Sequence, residues 1–370
     1  FKQKTAYEIG VRLVGSEMCI RDRIKSMLEG RIEPSRETVS HIDHCLGCLA
    51  CETTCPSSVA YRHLLEDARP RLDGMQRRSL GDRLLRLLLT HLLPHQGRFR
   101  LAMRLATLGK LTAPLLPARM RNLLSMAPAR LPAPARMAQP GVARTQVEKR
   151  MRVALLTGCV QQVLGPHIND ATVRLLNRLG AEVVIPQQMG CCGALTYHMG
   201  ERDHSLDLMR HNIEVWHREI SGEGLDAIVI NTSGCGTVVR DYGHLFRHDL
   251  AMADKAREVA DRVRDVSEVV AELGLPAKTI ESLNISEELR RRIGRTLEGV
   301  ASATLRVAYH DACSLQHGQR LNEAPRELLK KAGFDVVEVP EGHICCGSAG
   351  TYNMLEPELA GQLGLEHVVG

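Results

Sequence analysis

From residue 151 onward, short apolar runs alternate with longer stretches in which apolar residues recur at helical spacing. The apolar runs predict strands at Val153–Leu156, Glu182–Ile185 and Ala227–Ile230, because a fully buried strand reads as a short hydrophobic segment. The stretches between them predict helices over 167–179 and 200–219. Strands separated by helices of this length are typical of βαβ units with a parallel sheet. We therefore expect an α/β fold for this part of the chain.

The same arrangement occurs twice. Cys159 and Cys313 each follow an Arg-Val-Ala segment at the same interval. A Cys-Cys-Gly triplet begins 32 residues after each of them, as Cys191-Cys192-Gly193 in the first copy and Cys345-Cys346-Gly347 in the second. Fixed offsets of this kind predict a duplicated βαβ module with parallel sheets in both copies.

The cysteines of the first module follow its predicted strands. Cys159, the Cys191-Cys192 pair and Cys235 each fall in the loop after a strand. Because ligands of a parallel sheet lie beyond the carboxyl ends of its strands, we expect three loops to bring four thiols to one edge. Gly193 and Gly347 permit the tight backbone that directs both thiols of a pair to one side.

The second module offers Cys313, Cys345 and Cys346, and the repeat distance places the counterpart of Cys235 near position 389, beyond Gly370. We therefore expect that the chain stops before that residue. Four thiols in the first module and three in the second predict a metal site in each, holding either an iron–sulfur cluster or zinc.

A third cysteine group lies upstream, in the segment HCLGCLACETTCP. Cys45, Cys48, Cys51 and Cys55, followed by Pro56, have the Cys-x2-Cys-x2-Cys-x3-Cys-Pro spacing of bacterial ferredoxins, which bind a [4Fe–4S] cluster. Pro56 has a fixed φ and no N–H, and ends the loop. Zinc typically uses two separated cysteine pairs, so the spacing favours iron–sulfur. Cys55 ligates either the same cluster or a second ferredoxin-type cluster, as in two-cluster ferredoxins.

These patterns divide the chain into five parts. Residues 1–23 resemble a translated sequencing adapter, and we exclude them, with Cys19, from fold and function. The others are an incomplete ferredoxin-like iron–sulfur domain (24–70), a basic helical and Pro-rich linker (71–150), the first cysteine-rich module (151–300) and a truncated second one (301–370). Helices are expected around Leu84–Leu93 and in RFRLAMRLATLGK, followed by an extended linker over 113–140.

Composition and charge exclude some classes of function. Aromatic residues make up 3 % of the chain, which argues against stacking on nucleic-acid bases, and we expect no nucleic-acid partner. No segment approaches the roughly 18 consecutive apolar residues that span a bilayer. The stretch from Arg62 to Arg152 carries 19 Lys and Arg against five Asp and Glu. This basic stretch is typical either of a solvated linker or of a docking surface. The docking surface would bind acidic partner subunits or an anionic membrane.

The chain lacks the glycine-rich fingerprints of flavin, nicotinamide and nucleotide sites. A hydride-accepting cofactor is therefore expected on another subunit, with single electrons passing through this one. Twelve cysteines in clusters indicate metal binding in a reducing compartment, so we expect a cytoplasmic protein. An alternative location is the inner face of the plasma membrane, as a peripheral protein.

At these cysteine motifs the chain resembles the iron–sulfur subunits of bacterial glycolate oxidase (glycolate dehydrogenase). The resemblance runs from about Ile24 to about Leu363 and includes HCLGCLACETTCPS, TSGCG around Cys235, HDACSLQH around Cys313, and CCGSAGTYNM. It implies electron transfer from flavin-bearing subunits, which oxidise glycolate to glyoxylate, to a membrane acceptor. The family has two ferredoxin motifs, whereas this sequence shows one.

Other protein families that contain the same cysteine-rich module are the alternatives to a glycolate oxidase subunit. The module also occurs in heterodisulfide reductases, in anaerobic glycerol-3-phosphate dehydrogenase and in lactate-utilisation proteins. In heterodisulfide reductases the last cysteine belongs to a Cys-x2-Cys pair, whereas here Thr232 stands three residues before Cys235. That difference argues against a five-thiolate cluster and leaves a four-thiolate site or zinc open.

Overall fold

A computed structural model of the 370-residue chain describes residues 20–33, 35–73, 78–110, 121, 124, 127–276, 306–340, 342–343, 345–347 and 350–369. Most of the adapter-like segment, with Cys19, lies outside the described residues. So does the first part of the predicted Pro-rich linker, 113–120.

The N-terminal part is helical, with α1 (Ile20–Leu28), α2 (Arg36–Asp43), α3 (Ala50–Thr53) and α4 (Tyr61–Asp73). Ile24, Ile42 and Leu65 form a small core between α1, α2 and α4. The cysteine motif runs between α2 and α4 and includes the single turn α3. A loop with few apolar residues is thus anchored at both ends by packed helices.

Two further helices form a hairpin, α5 (Leu80–Leu92) and α6 (Gln96–Gly109). Both were predicted from their leucine spacing. Ser79 begins α5 with its side chain accepting a hydrogen bond from the backbone N–H of Asp82, as expected of a serine N-cap.

A five-stranded sheet holds the first cysteine-rich module. Its strands are β1 (Gly141–Ala143), β2 (Met151–Leu156), β3 (Ala181–Ile185), β4 (Ala227–Ile230) and β5 (Val263–Asp265), in the order β1-β3-β2-β4-β5. All neighbours are parallel except β1, which runs antiparallel to β3. The predicted α/β fold with a parallel sheet is confirmed, with the three predicted strands within two residues of their observed bounds.

Eight helices cover this sheet: α7 (Gln161–Leu164), α8 (Pro166–Arg178), α9 (Ala194–His198), α10 (Arg202–Ser221), α11 (Ser233–Arg240), α12 (Tyr242–Leu245), α13 (Ala253–Asp261) and α14 (Val266–Leu273). Alternate residues of each strand enter separate cores, with Ala154 and Leu156 in one and Val153 and Leu155 in the other. Both faces of the sheet are therefore buried, as expected for parallel strands.

The described part of the second module repeats the beginning of the first. It comprises β6 (Arg306–Tyr309), a π-helix (Ser314–Gln319), α15 (Glu323–Lys331), β7 (Asp335–Glu338), α16 (Tyr352–Leu355) and α17 (Pro357–Val369). Strands β6 and β7 are parallel, with Val307 opposite Val336. The β2-α8-β3 unit of the first module has its counterpart in β6-α15-β7.

The end of the predicted linker packs against the first module. Residues 128–140 contain no helix or strand, but Ala135 and Ala138 are buried in the sheet core. The carboxylate of Asp170, on α8, accepts hydrogen bonds from the backbone N–H groups of residues 136–138. An irregular segment is thus fixed by one carboxylate and leads into β1, which the sequence did not predict.

Among the helices that the structure describes, none combines the length and the apolar composition that crossing a membrane requires.

We expect Asp170→Ala to destabilise this packing, because the backbone N–H groups of residues 136–138 lose their acceptor. Burial raises the pKa of Asp170, but the backbone hydrogen bonds together lower it by more. The pKa of Asp170 therefore lies below its usual value. The stabilisation is therefore complete at neutral pH and is lost as the pH falls through the lowered pKa. Urea denaturation followed by the fluorescence of Trp216, the single tryptophan, measures it.

The control is Asp254→Ala, since Asp254 is 89 % exposed and pairs with Arg257 on the surface. The difference in denaturation midpoint between wild type and Asp170→Ala should shrink as the pH is lowered. A difference that stays constant with pH contradicts this role.

Candidate metal centre

Cysteines from all three predicted groups line one cavity of about 510 Å³. They are Cys45 of the ferredoxin-like segment, Cys159, Cys191, Cys192 and Cys235 of the first module, and Cys313, Cys345 and Cys346 of the second. The parallel strand order explains the first-module contribution, because β2, β3 and β4 all point their carboxyl ends to this edge. The predicted convergence of the three loops is observed.

The thiols of the first module contact one another. Cys191 Sγ lies 3.5 Å from Cys159 Sγ, and Cys192 is hydrogen-bonded to both Cys191 and Cys235. The hydrogen bond with Cys191, together with burial, raises the pKa of Cys159. The pKa of Cys192 is also raised: its bond to Cys191 lowers it, but the contact with Cys235 and burial prevail. Without a cation, Cys159 and Cys192 therefore favour the protonated thiol over the thiolate.

A corresponding pair forms in the second module. The hydrogen bond from Cys345 lowers the pKa of Cys313 to about 7. The same bond, with burial, raises the pKa of Cys345 well above its usual value. The shared hydrogen bond therefore favours the thiolate at Cys313 and the thiol at Cys345, and Cys346 beside the pair is exposed.

The ferredoxin-like segment brings three of its four cysteines together. Burial raises the pKa of Cys48 to about 11, with repulsion from Cys45 and Cys313 adding to it. Burial likewise raises the pKa of Cys51 to about 12, with repulsion from Cys45 and Cys48. Leu49 between them has a φ of 64°, a strained conformation for a non-glycine residue. This kink separates the turn that carries Cys48 from α3, which carries Cys51.

Cys55 lies apart from the cavity lining, at the start of a turn. Its carbonyl oxygen accepts a hydrogen bond from the N–H of Ser58 at 3.1 Å, which places Pro56 second in a four-residue turn. A proline is well suited to that position, since its φ is already fixed. The predicted role of Pro56 in ending the loop fits this geometry, while the role of Cys55 as a ligand stays a prediction.

The ferredoxin-like segment is bound to the second module by polar contacts. Thr53 Oγ1, on α3, is hydrogen-bonded at 2.8 Å to His317 Nδ1 in the π-helix. Arg62 donates to Gly318 O at 3.2 Å and pairs with the buried carboxylate of Glu52. Cys51 and Cys313 are thereby carried on elements that are fixed to each other.

Side chains of α4 tie the same segment to the first module. His63 contacts both carboxylate oxygens of Asp241 at 2.9 Å, and His198 Nδ1 lies 2.9 Å from Glu66 Oε1. These contacts hold α4 against α9 and against Asp241 at the end of α11.

The two modules are also joined directly. Thr237, on α11, donates to Ser314 O at 2.9 Å, and Ser314 Oγ donates to Ser233 Oγ at 2.7 Å. Gln319 Nε2 donates to Ser233 O at 2.9 Å. Since α11 carries Cys235 and the π-helix follows Cys313, these bonds fix the separation of the two modules' thiols.

Two buried residues that sequence reasoning missed hold the Cys191-Cys192 pair. Asn212, on α10, donates to Cys191 O and accepts from the N–H of Gly190, both at 2.8 Å. The hydroxyl of Tyr242 donates to Cys192 O at 2.8 Å. Both side chains are fully buried. The position of Asn212 among Met209, Ile213 and Trp216 on the buried face of α10 was its only signal in the sequence. Nothing in the sequence signalled Tyr242.

A second polar network joins the loops of Cys159 and Cys235. Gln161 Nε2 donates to Asn169 Oδ1 and to Asn231 Oδ1, at 2.6 and 2.8 Å. Thr232 donates to Gln161 Oε1 at 2.8 Å. Thr232, which stands where heterodisulfide reductases have a cysteine, also lines the cavity, so its hydroxyl is part of this network.

Within the described ranges, no three His, Cys, Asp or Glu side chains come close enough together to hold a single metal ion. A zinc ion gathers four ligands at about 2.0–2.3 Å from one centre, whereas an iron–sulfur cluster spreads its thiolates over several iron atoms.

Comparison with known proteins places this site in a family. The cysteine-rich domain model (CCG) matches residues 153–240 and 307–368, one range within each of the two predicted modules. The glycolate oxidase iron–sulfur subunit of Escherichia coli (strain K12) is 37 % identical over 340 residues, which cover 92 % of this chain and 75 % of that protein. This chain belongs to the family of glycolate oxidase iron–sulfur subunits.

Other relatives agree with that assignment. A probable glycolate oxidase iron–sulfur subunit of Bacillus subtilis (strain 168) is 31 % identical, over 91 % of this chain and 74 % of its own length. Lactate utilization protein A of Bacillus licheniformis is 29 % identical, over 59 % of this chain and 81 % of its own length. The glycolate oxidase iron–sulfur subunits therefore match more of this chain than the lactate-utilisation relatives do.

The thiols of this chain fit the cofactor that the family name implies. Soft thiolate donors are the ligands that iron–sulfur clusters use. The glycines of both Cys-Cys-Gly triplets allow the backbone to pack closely against a neighbouring helix. Gly193 has a φ of 76° and Gly347 a φ of 73°. An added Cβ would meet Ser205 O at 3.0 Å in the first case and Ala360 O at 2.8 Å in the second.

We expect Gly193→Ala to destabilise the metal-free chain by about 2–4 kcal/mol, since it adds a left-handed alanine and a clash with α10. Gly224→Ala is the matched control, because Gly224 has a φ of 82° with nothing within 4 Å of an added Cβ. Gly224→Ala should cost only the conformational part, about 1–2 kcal/mol. Urea denaturation gives both values, and equal values for the two variants would contradict the close packing at Gly193.

Proposed function

We propose that this chain is the iron–sulfur electron-transfer subunit of a flavin-dependent glycolate (2-hydroxy acid) dehydrogenase complex. It takes electrons from flavin-bearing partner subunits and passes them towards a membrane acceptor. The observation that carries the proposal is the single cavity lined by eight cysteines from three separate parts of the chain. Family membership supports the choice of glycolate as the substrate of the partner subunits.

The cysteines divide into three ligand sets. Cys45, Cys48, Cys51 and Cys55 hold a ferredoxin-type [4Fe–4S] cluster, or the first three hold it and Cys55 serves another. Further iron–sulfur clusters are held by Cys159, Cys191, Cys192 and Cys235 in the first module and by Cys313, Cys345 and Cys346 in the second. Bound clusters supply reversible one-electron transfer, with potentials set by hydrogen bonding and solvent exposure.

The protein's own contribution is to hold these thiols in place and to limit the access of water to them. Asn212 and Tyr242 fix the backbone of the Cys191-Cys192 pair, and both thiols are buried. Burial and hydrogen bonding around a cluster control its potential. We infer that these two residues are positioning residues.

Proximity of the thiol groups supports passage of electrons within one chain. Cys313 lies near enough to Cys48 to raise its pKa, and Cys48 near enough to Cys345 to raise the pKa of that thiol. Cys45 lines the same cavity as Cys159. The contacts Thr53–His317 and Ser233–Ser314 keep these elements at fixed separations. The ferredoxin-type site thus adjoins both modules.

A lactate-oxidising complex is the second candidate, because lactate utilization protein A of several Bacillus strains shares 27–29 % identity over 59 % of this chain. Co-expression with the flavoprotein subunits of a glycolate oxidase, and separately with those of a lactate-oxidising complex, separates the two candidates. Dye reduction driven by glycolate supports the first, and dye reduction driven only by lactate supports the second.

We expect Cys192→Ser to lower the iron content of the anaerobically reconstituted chain. Loss of a ligand should weaken the affinity of the first module for its cluster by at least about tenfold, as even changes beside a metal ligand do. Total iron and acid-labile sulfide, with electron paramagnetic resonance after dithionite reduction, measure the effect. Signals of the ferredoxin-like segment should persist in this variant.

Cys19→Ser is the control, since Cys19 lies in the adapter-like segment and is predicted to bind nothing. It should keep the iron content and the spectra of the wild type. A wild-type chain that is colourless and free of iron after reconstitution would show the proposed function to be wrong.

A further inference from the structure

The hairpin of α5 and α6 exposes seven leucines to solvent. Each has between 49 and 84 % of its surface accessible. They recur at helical spacing, as Leu80, Leu84, Leu87 and Leu88 on α5 and Leu101, Leu105 and Leu108 on α6. Single exposed leucines are ordinary, but seven on two adjacent helices mark an interaction site.

The rest of the molecule already occupies the other side of this hairpin. Leu89, Leu93 and Phe99 are buried against Val163 and Met199 of the first module. The hairpin is therefore held to the body of the protein by one apolar face, and the exposed leucines are additional to it. This second set, Leu80, Leu84, Leu87, Leu88, Leu101, Leu105 and Leu108, is called the leucine surface below.

The charges beside the leucine surface are positive. Arg83, Arg98 and Arg104 are exposed on the same two helices. Asp82 is the only acidic residue of α5, and α6 has none. An apolar helix surface bordered by arginines is typical of helices that lie in the interface of an anionic bilayer.

We propose that the leucine surface docks on anionic phospholipid bilayers, with the leucines entering the headgroup–acyl boundary and the arginines contacting lipid phosphates. A lipid surface fits better than a protein partner, because protein interfaces are enriched in aromatic residues and methionine and their hot spots seldom contain leucine. The only aromatic residue of the hairpin apart from histidine, Phe99, is buried. The inference rests on the proposed function, since a membrane acceptor requires this chain to approach a bilayer.

Vesicle flotation with the purified full chain tests the proposal. We expect binding to vesicles of three parts phosphatidylcholine to one part phosphatidylglycerol, weaker binding to phosphatidylcholine alone, and release by added salt. The double variant Leu84→Gln/Leu105→Gln should lower the partition coefficient by about tenfold or more, since two apolar side chains no longer enter the lipid. Arg83→Gln/Arg104→Gln should remove the preference for phosphatidylglycerol.

Controls of the same chemistry lie elsewhere on the surface. Leu250→Gln changes a leucine that is fully exposed on the first module, and Arg257→Gln changes an arginine that is 66 % exposed. Both should bind vesicles like the wild type. Equal binding of wild type and Leu84→Gln/Leu105→Gln overturns the proposal. So does a wild type that ignores vesicles but loses its flavin-bearing subunits when these leucines are replaced.

The same samples separate this inference from the proposed function. Iron content and reduced-state spectra of Leu84→Gln/Leu105→Gln should equal those of the wild type, because the substitutions lie on the surface away from the thiols. A chain that floats with vesicles but binds no iron supports the leucine surface and refutes the cluster assignment. A chain that binds iron but does not float with vesicles supports the cluster assignment and refutes the leucine surface.

Discussion

Buried thiols that face one another ionise together only when cations lie among them. Burial and mutual repulsion raise the pKa of Cys48 to about 11 and of Cys51 to about 12, and the pKa values of Cys159 and Cys192 in the first module are raised as well. The cavity that Cys159 and Cys192 line together with Cys45 therefore suits a positively charged core of iron. The need for a cation among buried thiols explains why the site has soft ligands, limited access of water and loops held in fixed positions.

Much of this arrangement follows from local patterns in the sequence. The apolar runs predicted β2, β3 and β4, and the offset between the two Cys-Cys-Gly triplets predicted the duplication. Since parallel strands end at the same edge, strand order alone brought Cys159 and Cys235 to the Cys191-Cys192 pair. Periodicity and spacing were sufficient because each strand is buried on both faces.

Contacts between distant parts of the chain could not be predicted in the same way. Asn212 and Tyr242 reach the cysteine backbone from separate helices, and Thr53 meets His317 across 264 positions of sequence. The irregular segment held by Asp170 shows no periodicity at all. Such contacts depend on where helices pack, which no local pattern records. They also make the ferredoxin-like segment and both modules one connected site, so that the thiol groups keep fixed separations.

X-ray absorption of the anaerobically purified chain, at the iron and zinc edges, tests the central claim most directly. The account predicts an iron edge with a first shell of sulfur and a second shell of iron, which only a cluster held by thiolates provides. Zinc surrounded by sulfur at about 2.3 Å, with no iron signal, would contradict it.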